Sequence, residues 1–320
     1  MSAASPAEAR RATLWGASTV LNWATLALFT QWAGPVPPFL LTALCFGLAG
    51  GLALLAFAAR GEAGALAEAL RQPPAGWLLG VGGLFGYHLC YFIAQQTAPA
   101  AEAGLISYLW PLLIVILAGW LLPGERLRGI HLLGGVCGFA GAALLVGPAG
   151  FDWSGDHTPG YLVALLAAFI WSGYSVASRR LSRVPTAAVA WNCLGAAGLA
   201  LACHLAWEPH GWPEGANPWA ILALGLGPVG SAFFTWDLGM KRGHVRLLGL
   251  LSYATPLCST LVLIAAGLAT PSPTLLLAAL LICGGALIGS GMLGGRQGRR
   301  APAGRSRRTG NASLEPRDRA

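Results

Sequence analysis

Charged residues are scarce in this 320-residue sequence: Asp, Glu, Lys and Arg together make up only 10% of it. Soluble domains are roughly a quarter charged, whereas 55% of the residues here are hydrophobic. A water-soluble fold of this composition would leave large apolar patches in contact with solvent. The shortage of charge therefore excludes a soluble enzyme and indicates a chain embedded in a lipid bilayer.

Motifs for catalysis and metal binding are also missing. The sequence contains no HExxH and no GxSxG motif. Its seven cysteines form no CxxC pair and lie in apolar stretches, so we interpret them as packing residues. The segment Gly225–Gly230 fits GxGxxG, but its apolar surroundings and internal proline favour helix packing and a flexible joint over dinucleotide binding. We expect no cofactor and no metal.

Long apolar segments are what the sequence has instead. About 20 residues of helix cross a bilayer, and hydropathy gives ten such segments, which predict an all-α polytopic membrane protein with ten transmembrane helices. The segments are Thr13–Trp32, Phe39–Ala58, Trp77–Ile93, Ala101–Leu122, Gly129–Val146, Tyr161–Ser178, Pro185–Ala206, Trp219–Trp236, Leu247–Leu268 and Leu275–Leu293. No cleavable signal peptide is evident, so the first segment is expected to be retained.

The distribution of charge predicts the orientation. If the chain crosses ten times, all 20 Lys and Arg residues fall on one side together with both termini. The opposite loops carry Asp152, Asp156, Glu208 and Glu214 and no basic residue. Basic loops stay in the cytoplasm, so we expect both termini there. The net charge of +8 is interpreted as this orientation signal and not as nucleic-acid binding.

An internal repeat divides the chain into halves. The motif Ser107-Tyr108-x-x-Pro111-Leu112 recurs 145 residues later as Ser252-Tyr253-x-x-Pro256-Leu257. Two shorter motifs recur at nearly the same spacing. Five segments per half is an odd number, so the second half enters the membrane from the opposite face. Inverted repeats around a central cavity are typical of transporters that open alternately to either side.

The repeat sets the expected domain boundaries. Two five-helix repeats, 13–147 and 161–294, are joined by an external loop at 148–160. They are flanked by a cytoplasmic N-terminal tail at 1–12 and a disordered basic tail at 295–320.

Polar and aromatic residues within the segments are the candidates for a binding site, because such groups are costly in lipid. His88 and Tyr91 share one helical face, and Tyr108, Trp110, Trp171 and Ser252 lie near the middle of other segments. The alternative for each is plain packing, in which case His88 is only a hydrogen-bonded packing residue. Glu102 and Asp237 lie near segment ends, which favours solvated positions over a proton relay.

Pro111 and Pro256 predict bends beside the cavity. Proline has no N–H, so each leaves the carbonyl four residues earlier, at Ser107 or Ser252, without its helical donor. Lipid does not tolerate such a group, so it should face protein or water. We interpret the two prolines as candidate hinges or gates; the alternative is a simple packing kink.

The chemistry of these residues limits the ligand. Tyr, Trp, His, Ser and free carbonyls, without Arg or Lys at mid-depth, suit an uncharged or zwitterionic amphipathic solute. Sugar phosphates and nucleotide sugars are disfavoured because they require fixed positive charge.

Several motifs resemble a known family. The two five-segment halves, Leu14-Trp15-Gly16 and Trp171-Ser172-x-Tyr174 resemble the drug/metabolite transporter superfamily, EamA type, over about residues 12–294. Within it, the stretch 99–112 with its Tyr108-Leu109-Trp110-Pro111 core is similar to aromatic amino acid exporters. The resemblance implies export of aromatic amino acids across a bacterial inner membrane. It further implies that Tyr108 and Trp110 line the cavity opposite His88 and Tyr91, a role that the repeat extends to Trp171 and Ser252.

Other functions remain open at this point. Within the same class, the solutes could be threonine-like amino acids, amines or drugs. A membrane-embedded enzyme or a sensor is the alternative of another class, but no paired catalytic groups and no signalling domain are evident. The expected partners are a small-molecule substrate and the bilayer, with the protein working as a monomer. The sequence does not distinguish proton coupling from facilitated diffusion.

Overall fold

The computed structural model describes residues 5–125, 127–146 and 157–289. Every regular element within these residues is helical, which confirms the all-α class. The helices are α1 Pro6–Ala24, α2 Leu26–Ala33, α3 Pro38–Ala59, α4 Ala63–Leu70, α5 Pro74–Thr97, α6 Ala100–Ser107, α7 Trp110–Leu121, α8 Gly129–Val146, α9 Thr158–Arg180, α10 Ala188–Trp207, α11 Pro218–Leu226, a π-helical turn Gly227–Ser231, α12 Ala232–Arg242, α13 Val245–Leu251, α14 Ala254–Ala265 and α15 Pro273–Gly289. The predicted tail at 295–320 and most of the loop at 148–160 lie outside the described residues.

Seven helical stretches are long and apolar enough to cross a membrane. They are Pro38–Ala59, Pro74–Thr97, Glu102–Leu121, Thr158–Arg180, Ala188–Trp207, Pro218–Arg242 and Val245–Ala265. Two further apolar helices, Gly129–Leu144 and Pro273–Gly289, are shorter. The first predicted segment is divided at Thr25 between α1 and α2. Helix α1 begins at Pro6, before the predicted segment, and its first part is polar and contains Arg10 and Arg11. The count of ten therefore stays a prediction.

Proline and glycine mark many of the helix ends. Proline occupies one of the first two positions of α3, α5, α9 and α11, where the absent N–H costs no helical hydrogen bond. Helix α1 begins with a capping box, in which Ser5 Oγ accepts from the Glu8 N–H and the Glu8 carboxylate accepts from the Ser5 N–H. Gly34 follows α2 with φ 83°, a left-handed conformation that glycine adopts without strain.

Three of these seven long stretches are interrupted, as is the first predicted segment at Thr25, which continuous hydropathy does not predict. Helices α6 and α7 are separated at Tyr108 and Leu109, and α13 and α14 at Ser252 and Tyr253. Both interruptions occur just before the repeated prolines. The third interruption is the π-helical turn, which overlaps the GxGxxG segment at Gly227–Gly230.

Helix packing brings distant parts of the chain together. The most extensive contacts join α8 to α15, α3 to α10, α5 to α9 and α1 to α12. Glycines permit the closest approach: a Cβ on Gly134 of α8 would lie 2.5 Å from the Gly285 carbonyl oxygen of α15. Large apolar side chains also cover the outside, including Leu78, 79% exposed, and Trp219, 78% exposed. An apolar exterior of this kind fits contact with lipid.

Candidate functional site

A cavity of about 850 Å³ lies among the helices. Its wall is mostly apolar and aromatic with a few polar groups. Helices α1, α2, α3, α5, α6, α7, α9, α11, α12 and α14 contribute residues to it. Exposed Thr30 and Gln31 lie at its outer end, whereas buried Trp110 and Trp171 form its inner end. The size and the lining are those of a small-molecule site.

Four tryptophans close the inner end. Trp23, Trp110, Trp171 and Trp236, here called the tryptophan tetrad, come from α1, α7, α9 and α12. Each ring contacts the other three, with centroid separations from 5.0 Å for Trp23 and Trp236 to 6.3 Å for Trp171 and Trp236. Trp236 is fully buried below the cavity, and its Nε1–H donates to Ser175 Oγ at 3.0 Å. The tetrad is a continuous aromatic floor.

One face of α5 supplies polar groups to the wall. His88, Tyr91 and Gln95 recur at intervals of three and four residues and all line the cavity. His88 Nδ1 lies 2.7 Å from the Leu84 carbonyl oxygen, and Gln95 Nε2 donates to the Tyr91 hydroxyl at 2.8 Å. The Tyr91 ring also stacks on Tyr87. The wall therefore combines hydrogen-bonding groups with ring faces.

Five of the six predicted site residues lie on this cavity: His88, Tyr91, Tyr108, Trp110 and Trp171. The sixth does not. Ser252 is fully buried, and its hydroxyl donates to the Leu248 carbonyl at 2.8 Å. Its counterpart in the repeat motif, Ser107, does line the cavity.

The two prolines also differ. Pro256 lines the cavity, whereas Pro111 is buried in packing against other helices. The expectation of an unpaired carbonyl at Ser252 is wrong, because this oxygen accepts the Thr255 N–H at 3.1 Å. This hydrogen bond joins residues three apart, and it replaces the bond between residues four apart that Pro256 cannot donate.

Sequence reasoning missed several wall residues. Gln95, Phe233 and Thr255 line the cavity, and Trp236 completes its floor. The helical period could have found Gln95, because it lies four residues after Tyr91 on the same face. No comparable sequence signal identifies Trp236, which lies beyond the π-helical turn.

The two acidic residues expected to be solvated are buried instead. Asp237 pairs with Lys241 at 2.9 Å and accepts a hydrogen bond from Thr186 at 2.8 Å. Glu102 accepts a hydrogen bond from the Tyr161 hydroxyl. The prediction that these carboxylates are solvated was wrong, because protein groups, not water, form their hydrogen bonds. Neither residue lines the large cavity.

A second polar network lies at the far ends of the helices that form the cavity. Arg246, near the start of α13, pairs with Glu125, which follows α7, at 2.5 Å. Arg179 donates to the Gly243 carbonyl at 2.7 Å, and Arg180 donates to that of Leu121. The cavity uses the opposite ends of the same stretches, namely Trp110 on α7 and Thr255 to Leu263 on α14. These contacts close the side remote from the outer end of the cavity.

Metal ligands do not cluster in the part of the chain that the structure describes, where no group of three or more His, Cys, Asp and Glu side chains is suited to a metal ion. The cysteines of this part are free. The cavity is equipped for binding by stacking and hydrogen bonding.

Comparison with known proteins identifies the class. The sequence profile of the EamA-like transporter family matches residues 10–147 and 158–290, so the chain belongs to this family of transporters. It is 54% identical over 279 residues to the aromatic amino acid exporter YddG of Ancylobacter novellus, an alignment that covers 87% of this chain and 96% of the relative. The protein of the same name from Escherichia coli is 28% identical over 68% of this chain and 78% of its own length.

Other similarities are structural or more distant. A solved crystal structure of a protein with 53% sequence identity matches with a TM-score of 0.83, over 89% of this chain and 97% of that one. The pseudopaline exporter CntI of Pseudomonas aeruginosa is 33% identical, but over only 49% of this chain and 56% of its own length. The predicted EamA-type resemblance is confirmed.

Proposed function

We propose that this chain exports aromatic and other amphipathic amino acids across a bacterial inner membrane by alternating access, as a monomer with both termini in the cytoplasm. The observation that carries the proposal is the cavity itself. Its aromatic wall suits a ring, its polar groups suit a head group, and the tryptophan tetrad separates it from the remote side. The relatives named as aromatic amino acid exporters support the same substrate class.

Two inverted five-helix repeats are part of the proposal, with the boundaries 13–147 and 161–294. The two stretches matched by the family profile, 10–147 and 158–290, have similar limits. The helix contacts support the symmetry. The repeat pairs α1 with α9, α3 with α10, α5 with α12, α7 with α14 and α8 with α15. Exchanging each helix for its counterpart converts the contact between α1 and α12 into that between α9 and α5. The same exchange converts the contact between α7 and α9 into that between α14 and α1, and it leaves the contacts of α3 with α10 and α8 with α15 unchanged.

The open end of the cavity indicates the conformation. Thr30 and Gln31 lie before Gly34, on the side whose loops lack basic residues. The network around Arg246 and Glu125 lies on the basic side, which the distribution of Lys and Arg assigns to the cytoplasm. We infer an outward-open state, in which the tetrad and this network form the inner closure. Opening to the cytoplasm requires both to separate, and bending at Pro111 and Pro256 is the proposed hinge motion.

Transport in proteoliposomes tests the proposal. Purified protein should carry labelled phenylalanine across the vesicle membrane, with and without an imposed pH gradient, and empty vesicles provide the baseline. Dependence on the pH gradient distinguishes proton coupling from facilitated diffusion. Transport of threonine without phenylalanine would contradict the aromatic assignment and favour threonine-like substrates.

A labelling experiment tests the topology. In a variant that lacks the seven native cysteines, a cysteine introduced in place of Arg183 and one introduced in place of Glu214 should react with an impermeant reagent from opposite sides of the membrane. Reaction of both from the same side would contradict the inverted arrangement.

A further inference from the structure

The polar face of α5 carries hydrogen-bonding groups whose roles are fixed by their neighbours. A carbonyl oxygen only accepts, so the contact of the Leu84 carbonyl with His88 requires hydrogen on Nδ1. In the neutral ring, His88 Nε2 is then an acceptor. The Tyr91 oxygen accepts from Gln95 Nε2, which leaves the Tyr91 O–H available as a donor.

Gln95 completes this pattern with an unused acceptor. Its Oε1 is buried, and no group among the described residues donates to it. A buried acceptor without a donor is unfavourable, and most such groups in folded proteins are satisfied. Because Gln95 lies on the cavity wall, a bound ligand can supply the missing donor.

The position of Gln95 relative to the rings defines an orientation. His88 lies deeper, with its ring 5.1 Å from Phe46 and 6.5 Å from Phe233. Tyr87 lies 5.4 Å from Trp171 of the tetrad. Gln95 is two helical turns further toward the end of α5, roughly 10 Å along the axis from His88 at 1.5 Å per residue. A ligand whose ring rests on the aromatic floor therefore directs its polar end toward Tyr91 and Gln95.

We propose that Tyr91 and Gln95 form the head-group site for an α-amino acid, an inference that rests on the proposed function. Gln95 Oε1 accepts a hydrogen bond from the α-ammonium, and the Tyr91 O–H donates to the α-carboxylate. The Gln95 amide, by donating to Tyr91, also aligns that hydroxyl. A single pair of side chains thus recognises both charges of a zwitterion without any charged residue of its own.

This assignment makes Gln95 a specificity residue. The site favours solutes that carry an ammonium group beside a carboxylate, and it discriminates against aromatic acids that lack the amine. If Gln95 only positioned Tyr91, its N–H would be the one group it needs. Its oxygen would then make no contact with the ligand, and the site would not distinguish aromatic acids with an amine from those without one.

Competition binding against labelled phenylalanine, with the purified full-length protein, tests the assignment. Gln95→Met retains the size of the side chain and removes its acceptor, so phenylalanine affinity should fall about tenfold, as expected for a hydrogen bond to a charged group. The matched control is Gln96→Met, because Gln96 is exposed on the same helix and does not line the cavity. Its affinity should equal that of the wild type.

Phenethylamine, which has the ring and the ammonium but no carboxylate, separates the two contacts. Gln95→Met should weaken phenethylamine binding, although less than phenylalanine binding, because the variant also loses the N–H that aligns the Tyr91 hydroxyl with the carboxylate. Gln95→Glu, which retains an acceptor, should strengthen phenethylamine binding. Tyr91→Phe should weaken phenylalanine and leave phenethylamine unchanged.

The outcomes are distinguishable. Unchanged phenylalanine affinity in Gln95→Met would overturn the inference, and so would an equal loss of phenethylamine binding in the Met and Glu variants. Absence of phenylalanine binding to the wild type would instead overturn the proposed function.

Discussion

The buried pair of Asp237 and Lys241 makes a strong prediction about stability. The two side chains are 4% and 7% exposed, and the carboxylate lies 2.9 Å from the ammonium group. Thr186 donates to the carboxylate, and Lys241 donates to the Val184 carbonyl. Both charges are removed from water, so each depends on the other for compensation.

Substitution of one partner leaves the other charge buried and unpaired. We expect Asp237→Asn or Lys241→Met to lower the free energy of unfolding by about 3–5 kcal/mol. The double variant Asp237→Asn/Lys241→Met leaves no charge behind, so its loss should be far below the sum of the two single losses.

Denaturant titration in mixed micelles measures these differences. Glu125→Gln provides the contrast, because its ion pair with Arg246 is 28% and 27% exposed and should cost about 1 kcal/mol at most. If the double variant lost as much as the two single variants together, the pair would not be coupled and the reasoning would be refuted.

Three further substitutions test the floor, the helix packing and a helix terminus. Trp110→Ala should lower phenylalanine transport at least tenfold at equal expression, whereas Trp120→Ala, 74% exposed, should not; equal rates would mean that Trp110 only packs. Gly134→Ala places a methyl group against the backbone of α15 and should lower the free energy of unfolding by about 1–3 kcal/mol. Gly284→Ala meets open space and serves as the control. Identical melting curves for the two variants would contradict this packing. Glu208→Ala removes the acceptor of two N–H groups at the start of α3. It should lower the free energy of unfolding by about 1–2 kcal/mol in the same denaturant titration. An unchanged free energy would mean that water replaces the carboxylate.

Much of the fold follows from hydropathy because lipid offers no hydrogen-bond partners to the backbone. Apolar stretches of spanning length must therefore be helical, and the all-α class was predictable. Interruptions are different, since an apolar run has the same hydropathy whether or not its helix is continuous. The proline motifs signalled the breaks near Tyr108 and Tyr253, whereas no proline signals the break at Thr25.

The aromatic part of the site was predictable, but its polar part was less so. His88, Tyr91 and Trp110 lie within apolar segments, where polar and aromatic groups are costly unless they face protein or a cavity. The repeat did not reveal that Ser252 lies off the cavity, because related positions share backbone geometry but not neighbours. Asp237 appeared solvated because its sequence position is near a segment end, and only the tertiary structure brings Thr186 beside it.

The π-helical turn at Gly227–Ser231 sets the rotation of everything that follows it in the same stretch. A π turn accommodates one extra residue, equivalent to roughly 100° about the axis of an α-helix with 3.6 residues per turn. Trp236 reaches its three partner rings only with this added winding. Deletion of one residue from the turn would leave the stretch Pro218–Arg242 apolar and nearly as long. It would nevertheless rotate the Trp236 side chain away from the other three tryptophans and toward a different neighbour.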